Sequence, residues 1–212
     1  MDDAELHSAQ ADEAQAGGSA AALSRIKYAS IFATPLLTQI WEDAPQLNPL
    51  LREHILAHEA KSQGVGVARS NDGGWHSDVG QLEFCGAAGQ RLLEHARALA
   101  NEGTRRVLAD HGRKMALIEW TVYAWANINR EGDFNKTHVH SASTWSGTYY
   151  IDTGDPRDPG GTPLQLMEPS QGRVMSFLPK LLPTSIYLRP KPGLMVLSVS
   201  YTHLTLPTTP YV

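Results

Sequence analysis

The sequence predicts an α+β domain with a helical N-terminal half and a mainly β C-terminal half. Apolar residues recur at helical spacing between residues 48 and 110. After Gly112, short apolar and aromatic stretches alternate with turns rich in Gly, Pro and Asp. Several short strands at this spacing are typical of a β-sandwich or a small barrel, which we expect the helices to buttress.

The composition limits the class of protein. A chain of 212 residues suits one domain with a substantial core. The net charge of −4, without a cluster of Lys and Arg, argues against nucleic-acid binding. A single cysteine excludes an intramolecular disulfide and fits a reducing compartment. With no apolar run of membrane-spanning length and no signal-peptide pattern, we expect a cytoplasmic protein that binds no membrane.

The chain is expected to begin with a tail. Residues 1–25 are small, polar and acidic, which is typical of a disordered segment. One domain is then expected over residues 26–197. Its first strand is predicted at residues 31–37, an apolar stretch interrupted by Pro35.

Two helices are predicted before residue 112. Asn48 and Pro49 suit the N-cap and the first position of a helix that runs to Ala60. Residues 70–77 form a loop rich in turn formers, and a longer helix is expected from Gly86 to Asp110. Its inner stripe consists of Leu92, Leu93, Ala96, Leu99 and Ala100.

Six strands are predicted after Gly112. The first is a dense run of aromatic and aliphatic residues over residues 115–128. Turn residues separate the others, which are predicted at residues 144–152, 162–167, 173–178, 184–188 and 194–197.

The candidate functional feature is a pair of histidines, His138 and His140. Alternate side chains of an extended segment point to the same face, so both imidazoles are expected to project into one cavity. Imidazole is a good ligand for iron, zinc, copper and nickel. The pair therefore predicts a metal site.

The sequence resembles the 2-oxoglutarate/Fe(II)-dependent oxygenases of bacteria and phages, members of the double-stranded β-helix (jelly-roll) superfamily. The resemblance covers residues 31–197 and is most specific over residues 125–150. It rests on Phe32-Ala-Thr-Pro35, Ser70-Asn71, Gly74-Trp75-His76-Ser77, Trp125-Ala-Asn127, Gly132, Asn135, His138-Val-His140, Ser146-Gly-Thr-Tyr-Tyr150, Gly161 and Pro190-Lys-Pro-Gly193-Leu-Met-Val-Leu197.

The resemblance implies a jelly roll that holds Fe(II) through His138, His140 and a distal histidine near the C-terminus. A basic residue on a late strand would bind the far carboxylate of 2-oxoglutarate. Such a dioxygenase consumes O2 and 2-oxoglutarate, releases succinate and CO2, and hydroxylates a small-molecule or protein substrate. Tyr150 is the candidate to donate its hydroxyl to 2-oxoglutarate, and Asn135 either orients a ligand or closes the turn.

Position 140 departs from the usual pattern of this superfamily, which is His-x-Asp/Glu followed by the distal histidine. A neutral ligand there would change the charge on the iron. Two interpretations stay open at this point. One is an all-histidine site, and the other is a carboxylate supplied from elsewhere, with Asp152 and Glu168 as the available residues.

Several other residues have two interpretations. His76 either lines the site or lies at the surface. The aromatic residues Trp120, Trp125 and Tyr149 are expected in the core. The histidines on or at the ends of helices are interpreted as structural or solvent-facing, and they are His54, His58, His95 and His111.

Residues 198–212 depart from the family. From Ser198 to Thr208 they match what one reading frame of a common sequencing adapter encodes, which predicts a non-native tail. The distal histidine of the family would fall in this region, where His203 stands, and no Arg or Lys follows Lys191. We therefore predict that a chain with this sequence is impaired as an oxygenase.

Two other functions stay open. Gly132 and the His-x-His pattern fit the first half of the cupin motif, which suggests a metalloprotein that does not use 2-oxoglutarate. The glutamate expected after the second histidine is missing, because Thr144 and Trp145 occupy those positions. The other alternative is a metal-free jelly-roll binding module in which the histidines have no ligand role.

Overall fold

The computed structural model describes residues 34–114, 116–154, 163–168 and 184–200, and the backbone of residues 203–206. All of them belong to one compact unit, Thr34–Val212. The tail predicted at residues 1–25 and the strand predicted at residues 173–178 lie outside the described residues. Within this part of the chain, no helix has the length and apolar character needed to cross a membrane.

The described residues form two long helices and ten strands. The helices are α1 (Ala44–Lys61) and α2 (Gly86–Asp110), and a 3-10 turn, Glu83–Cys85, directly precedes α2. The strands are β1 (Leu36–Ile40), β2 (Asn71–Asp72), β3 (Trp75–His76), β4 (Asn127–Ile128), β5 (Phe134–His138), β6 (Trp145–Tyr149), β7 (Leu164–Met167), β8 (Ser185–Leu188), β9 (Leu194–Val199) and β10 (His203–Leu206).

The strands pair in antiparallel fashion. One sheet has the order β1-β9-β6, a second has the order β2-β5-β10-β7-β8, and β3 pairs with β4. Four predicted strands are confirmed as β6, β7, β8 and β9, with ends that differ by a few residues. The mixture of helices and antiparallel sheets confirms the α+β class.

The strand β9 separates two apolar clusters. Because side chains alternate along a strand, Met195 and Leu197 pack with the helices, whereas Leu194 and Val196 pack with β7. Both faces of β9 are therefore buried, which explains its unbroken apolar run. The three-stranded sheet is thus covered by helices on one face and by the five-stranded sheet on the other.

The helix α1 begins five residues before its predicted start. Asp43 is its N-cap and Pro45 lies in the first turn, where the missing N–H breaks no helical bond. Asn48 is instead buried, donates through Nδ2 to the Ile151 carbonyl (2.9 Å), and accepts through Oδ1 from the Tyr149 hydroxyl (2.6 Å). Asn48 therefore ties α1 to the end of β6 rather than capping the helix.

The helix α2 has the predicted bounds. It ends at Asp110 with His111 as its C-cap, and Gly112 follows with a φ of +66°, a left-handed conformation that glycine adopts without strain. Its predicted inner stripe is confirmed, because four of the five residues are buried and Ala96 packs partly buried against the same cluster.

The long strand predicted over residues 115–128 is wrong for most of its length. Asn127–Ile128 forms a strand, and Ala124 forms isolated bridges with Gly80 and Gln81. The side chains of this segment still alternate between partly buried and exposed. Trp120 is partly buried, whereas Leu117 and Tyr123 are 95% and 68% exposed. The composition favours a strand, but a strand also needs a partner, and the described residues offer this segment little more than those bridges.

Two neighbouring leucines of α1 test this packing. Leu51 is fully buried, whereas Leu50 is half exposed. Because Leu51→Ala leaves a cavity in the core, we expect it to lower the free energy of unfolding by about 2–5 kcal/mol, and Leu50→Ala by about 0.5 kcal/mol or less. Urea denaturation followed by circular dichroism measures both. Equal losses for the two variants would contradict the placement of α1.

Candidate metal centre

The end of β5 brings His138 and His140 together. His138 is the last residue of β5, and the backbone N–H of His140 donates to the Ser200 carbonyl (3.1 Å). The two ring centroids lie 4.7 Å apart with the ring planes at 87°, and both side chains are partly buried. The two rings therefore lie close together and are partly shielded from solvent rather than splaying apart.

Each imidazole is in a state suited to metal binding. His138 Nδ1 lies 2.7 Å from the Lys136 carbonyl oxygen, so this nitrogen carries the proton and Nε2 keeps its lone pair. Metal-binding histidines usually donate their second ring N–H in this way. Burial, and to a lesser extent the neighbouring His138, lowers the pKa of His140, which favours the neutral form that ligates metals.

The strand register shows which face His138 occupies. His138 lies opposite Leu204 of β10, and Leu204 lies opposite Leu166 of β7. Residues directly opposite one another on paired strands share a face of the sheet. Leu166 is buried in the cluster between the two sheets, against which Tyr150 also packs. His138 therefore lies on the inner face of the five-stranded sheet.

A row of three rings, called the aromatic row below, begins at His140. The Trp125 ring lies 5.4 Å from that of His140, and the His76 ring lies 5.5 Å from Trp125 and within 13° of parallel to it. His76 is 3% exposed, its Nδ1 donates to the Ser77 carbonyl, and burial lowers its pKa. The surface interpretation of His76 is therefore wrong.

Sequence reasoning missed the aromatic row because no local pattern joins its members. His76 lies in what reads as a loop, about fifty residues before Trp125. In the structure residues 70–77 contain β2 and β3, and β3 pairs with β4 so that His76 is opposite Asn127. Trp75, His76 and Ser77 are all buried, and this burial becomes apparent only once the partner strand β4 is known.

Two residues expected at the cosubstrate bury unpaired polar atoms. Within the described residues, neither Asn135 Nδ2 nor Tyr150 Oη has a hydrogen-bond partner of normal geometry. Burial raises the pKa of the Tyr150 phenol, and the nearby Thr148 hydroxyl opposes this shift. An unpaired buried donor costs about 1–3 kcal/mol, so both atoms suit contacts with acceptor oxygens of a ligand.

The histidine pair would supply two ligands to a metal ion. The described ranges contain no group of three His, Cys, Asp or Glu side chains placed to hold one ion. Asp152 pairs with Arg52 in an exposed contact (3.1 Å), which argues against Asp152 as a further ligand. The backbone of His203 lies opposite Met167 and directly precedes Leu204, which lies opposite His138. Residue 203 is therefore near the histidine pair.

An ion pair fixes the loop that leads into β5. Both terminal nitrogens of the Arg130 guanidinium donate to the Glu59 carboxylate of α1 at 2.8 Å, and the Arg130 backbone N–H donates to Asp133 Oδ2 (2.8 Å). Gly73, with a φ of +67°, lies so close to Asp133 that a Cβ would overlap its carboxylate. These contacts hold the approach to β5 against α1.

Residues 123–209 match the model of the family described as "Putative 2OG-Fe(II) oxygenase". The resemblance to the 2-oxoglutarate/Fe(II) oxygenases is confirmed. This family uses Fe(II) and 2-oxoglutarate as its cofactor and cosubstrate. The matched range includes the histidine pair and extends into residues 198–212.

The fold is similar to that of a Pseudomonas putida prolyl-4-hydroxylase. The TM-score with its crystal structure is 0.51 at 18% sequence identity, over 82% of this chain and 86% of the other. At this identity the likeness concerns the fold alone. No curated protein matches the sequence at a significant level.

Glu59 gives the first test of the loop. Because the Arg130 guanidinium holds the pKa of the Glu59 carboxyl below its usual 4.5, the ion pair stabilises the fold above that pH and is lost as the pH falls through the folded-state pKa. We expect Glu59→Gln to lower the free energy of unfolding by about 1 kcal/mol at pH 7 and by less at pH 3.5. Urea denaturation at both pH values measures this.

The matched control is Glu53→Gln, which changes an exposed carboxylate on the same helix. It should cost little at either pH. A Glu59→Gln loss that stays the same from pH 7 to pH 3.5 would contradict the ion-pair account.

The histidine pair gives the second test. We expect His138→Ala or His140→Ala to weaken Co(II) binding by more than the roughly 10–100-fold that loss of an outer-shell partner costs. Isothermal titration calorimetry measures this affinity. His54→Ala, which removes an exposed histidine of α1, should bind Co(II) like the wild type. Unchanged affinity in both variants of the pair would exclude it as the metal site.

Proposed function

We propose that this chain is a 2-oxoglutarate- and Fe(II)-dependent dioxygenase built on a double-stranded β-helix, which hydroxylates a C–H bond of a small-molecule or protein substrate. The observation that carries the proposal is the contact between His138 and His140 within the region that matches the oxygenase family. The inner-face position of His138 supports it, since the substrate of such a fold binds between the sheets.

The proposal gives binding roles to four residues. His138 and His140 would hold the iron, with His138 kept in the correct tautomer by the Lys136 carbonyl. When bound, iron and 2-oxoglutarate supply the oxygen activation and the oxidative decarboxylation to succinate and CO2. Asn135 Nδ2 and Tyr150 Oη would donate hydrogen bonds to oxygens of the cosubstrate or to a group that orients it.

The apolar cluster has its own role in this proposal. Val196 of β9 and Leu164 of β7 are almost completely buried beside Tyr150. They keep water away from the inner wall of the site, and a site of low polarity strengthens each hydrogen bond made to a bound carboxylate.

We further propose that residues 198–212 are a non-native segment that impairs this chain. The support is chemical. No Arg or Lys follows Lys191 to pair with the far carboxylate of 2-oxoglutarate, and the described residues do not complete a set of three metal ligands. Both histidines lie outside this segment, and its described contacts with them are backbone pairings by Ser200 and Leu204, so metal binding should survive where turnover does not.

A turnover assay tests both parts of this proposal. It compares the 212-residue chain with a chain in which the genomic sequence replaces residues 198–212, using Fe(II), 2-oxoglutarate and O2 and measuring succinate. We expect succinate from the restored chain alone. Turnover by the 212-residue chain would overturn the impairment. Failure of the restored chain to form succinate while binding metal favours a cupin-type metalloprotein, and failure to bind metal favours a binding module.

Tyr150 offers a sharper prediction for the restored chain. Because Tyr150→Phe removes a hydrogen-bond donor without changing the packed ring, we expect about tenfold weaker binding of 2-oxoglutarate to the Co(II)-loaded protein. Calorimetric titration with 2-oxoglutarate measures the affinity. Tyr123→Phe, at an exposed tyrosine, is the control. Equal affinities for the two variants would remove Tyr150 from the cosubstrate site.

A further inference from the structure

In the aromatic row, Trp125 contacts the proposed ligand His140 without being a ligand itself. We propose that Trp125 is a positioning residue that holds the His140 imidazole in its metal-binding orientation, with His76 packed behind it. This inference rests on the proposed function, because it concerns the same histidine pair. It adds a residue that contacts a ligand without itself binding the metal.

The need for such a support follows from the position of His140. His138 ends β5, whereas His140 lies beyond the strand in a turn whose residues 141–144 are exposed. Ala142 in this turn has a φ of +69°, so the backbone reverses directly after the ligand. In the described residues, the ring contacts of His140 are those with His138 and Trp125. The ring of His140 therefore owes its orientation to side chains more than to strand geometry.

Trp125 is itself held in place from behind. Its neighbour Ala126 and the neighbour of His76, Ser77, are joined by a pair of hydrogen bonds. Ser77 N–H donates to the Ala126 carbonyl (3.0 Å), and the Ala126 N–H donates to Ser77 Oγ (3.0 Å). These two hydrogen bonds lie next to the nearly parallel stack of His76 on Trp125. Because His76 is buried and bonded through Nδ1, the stack has little freedom to shift.

Trp125 differs from the other tryptophans of the chain, all five of which the structure describes. The other four pack in the apolar cluster with the helices, and Trp125 does not. Trp120, five residues earlier, donates through Nε1 to Asn101 of α2 (2.7 Å). The indole ring of Trp125 lies 5.4 Å from the His140 ring and tilted by 49° to it, in contact with the imidazole that it is proposed to orient. Core packing alone therefore does not explain the location of Trp125.

The test compares three variants of the full chain. Trp125→Leu removes the aromatic ring from the row, Trp125→Phe keeps an aromatic ring there, and Trp120→Leu is the matched control on the same segment. The first readout is the histidine Cε1–Hε1 NMR spectrum of the metal-free protein. The second is Co(II) affinity by calorimetry, together with the visible absorption spectrum of bound Co(II).

We expect Trp125→Leu to move the His140 and His76 signals more than those of exposed His54, and to weaken Co(II) binding about tenfold with an altered Co(II) spectrum. Trp125→Phe should restore most of the affinity, and Trp120→Leu should leave the signals of the row and the affinity unchanged. Rescue by Phe separates orientation of the ligand from a general loss of stability.

Two results would overturn the inference, and they have different meanings. If the wild type binds Co(II) and Trp125→Leu binds it equally well with the same spectrum, Trp125 does not position His140, and the proposed function stands. If the wild type binds no Co(II), the proposed function fails, and the positioning role fails with it.

Discussion

Burial of β9 on both faces is the constraint on which the rest of the structure depends. Its run Leu194-Met-Val-Leu197 supplies apolar side chains to the helical cluster and to the inter-sheet cluster. A strand with one polar face could not join the helices to the second sheet in this way. Because β9 also pairs with β6, it sets the position of the residues that follow β6, including Tyr150, relative to the inner face on which His138 lies.

The two proposed ligands are held in different ways, one by a strand and the other in a turn. His138 is fixed by a strand and by the Lys136 carbonyl, whereas His140 lies beyond the strand and depends on neighbouring rings. Neutral imidazoles at both positions lower the negative charge that the protein contributes to the metal, compared with the carboxylate usual at the second position. Burial lowers the pKa of His140 and so favours its neutral form, which makes the departure at position 140 compatible with metal binding.

The sequence predicts those parts of the fold that local periodicity determines. The bounds of α2 follow from an apolar stripe and a terminal glycine, and the strands from β6 to β9 follow from apolar runs between turns. The errors share one physical cause, which is dependence on distant partners. Asn48 looks like a helix cap until its bonds to β6 are known, and residues 116–126 look like a strand although the described chain gives them few partners. The two interpretations of His76 stay open in the sequence for the same reason, because its neighbour in the fold, Trp125, is distant along the chain.

The central claim is that two imidazoles from positions 138 and 140 bind one metal ion. X-ray absorption spectroscopy of the full chain loaded anaerobically with Fe(II) tests it most directly, because imidazole rings give a characteristic multiple-scattering pattern. The account predicts a signal that requires at least two imidazoles and that weakens by one imidazole in His140→Ala. Iron surrounded by oxygen ligands alone, or a signal unchanged in that variant, would contradict it.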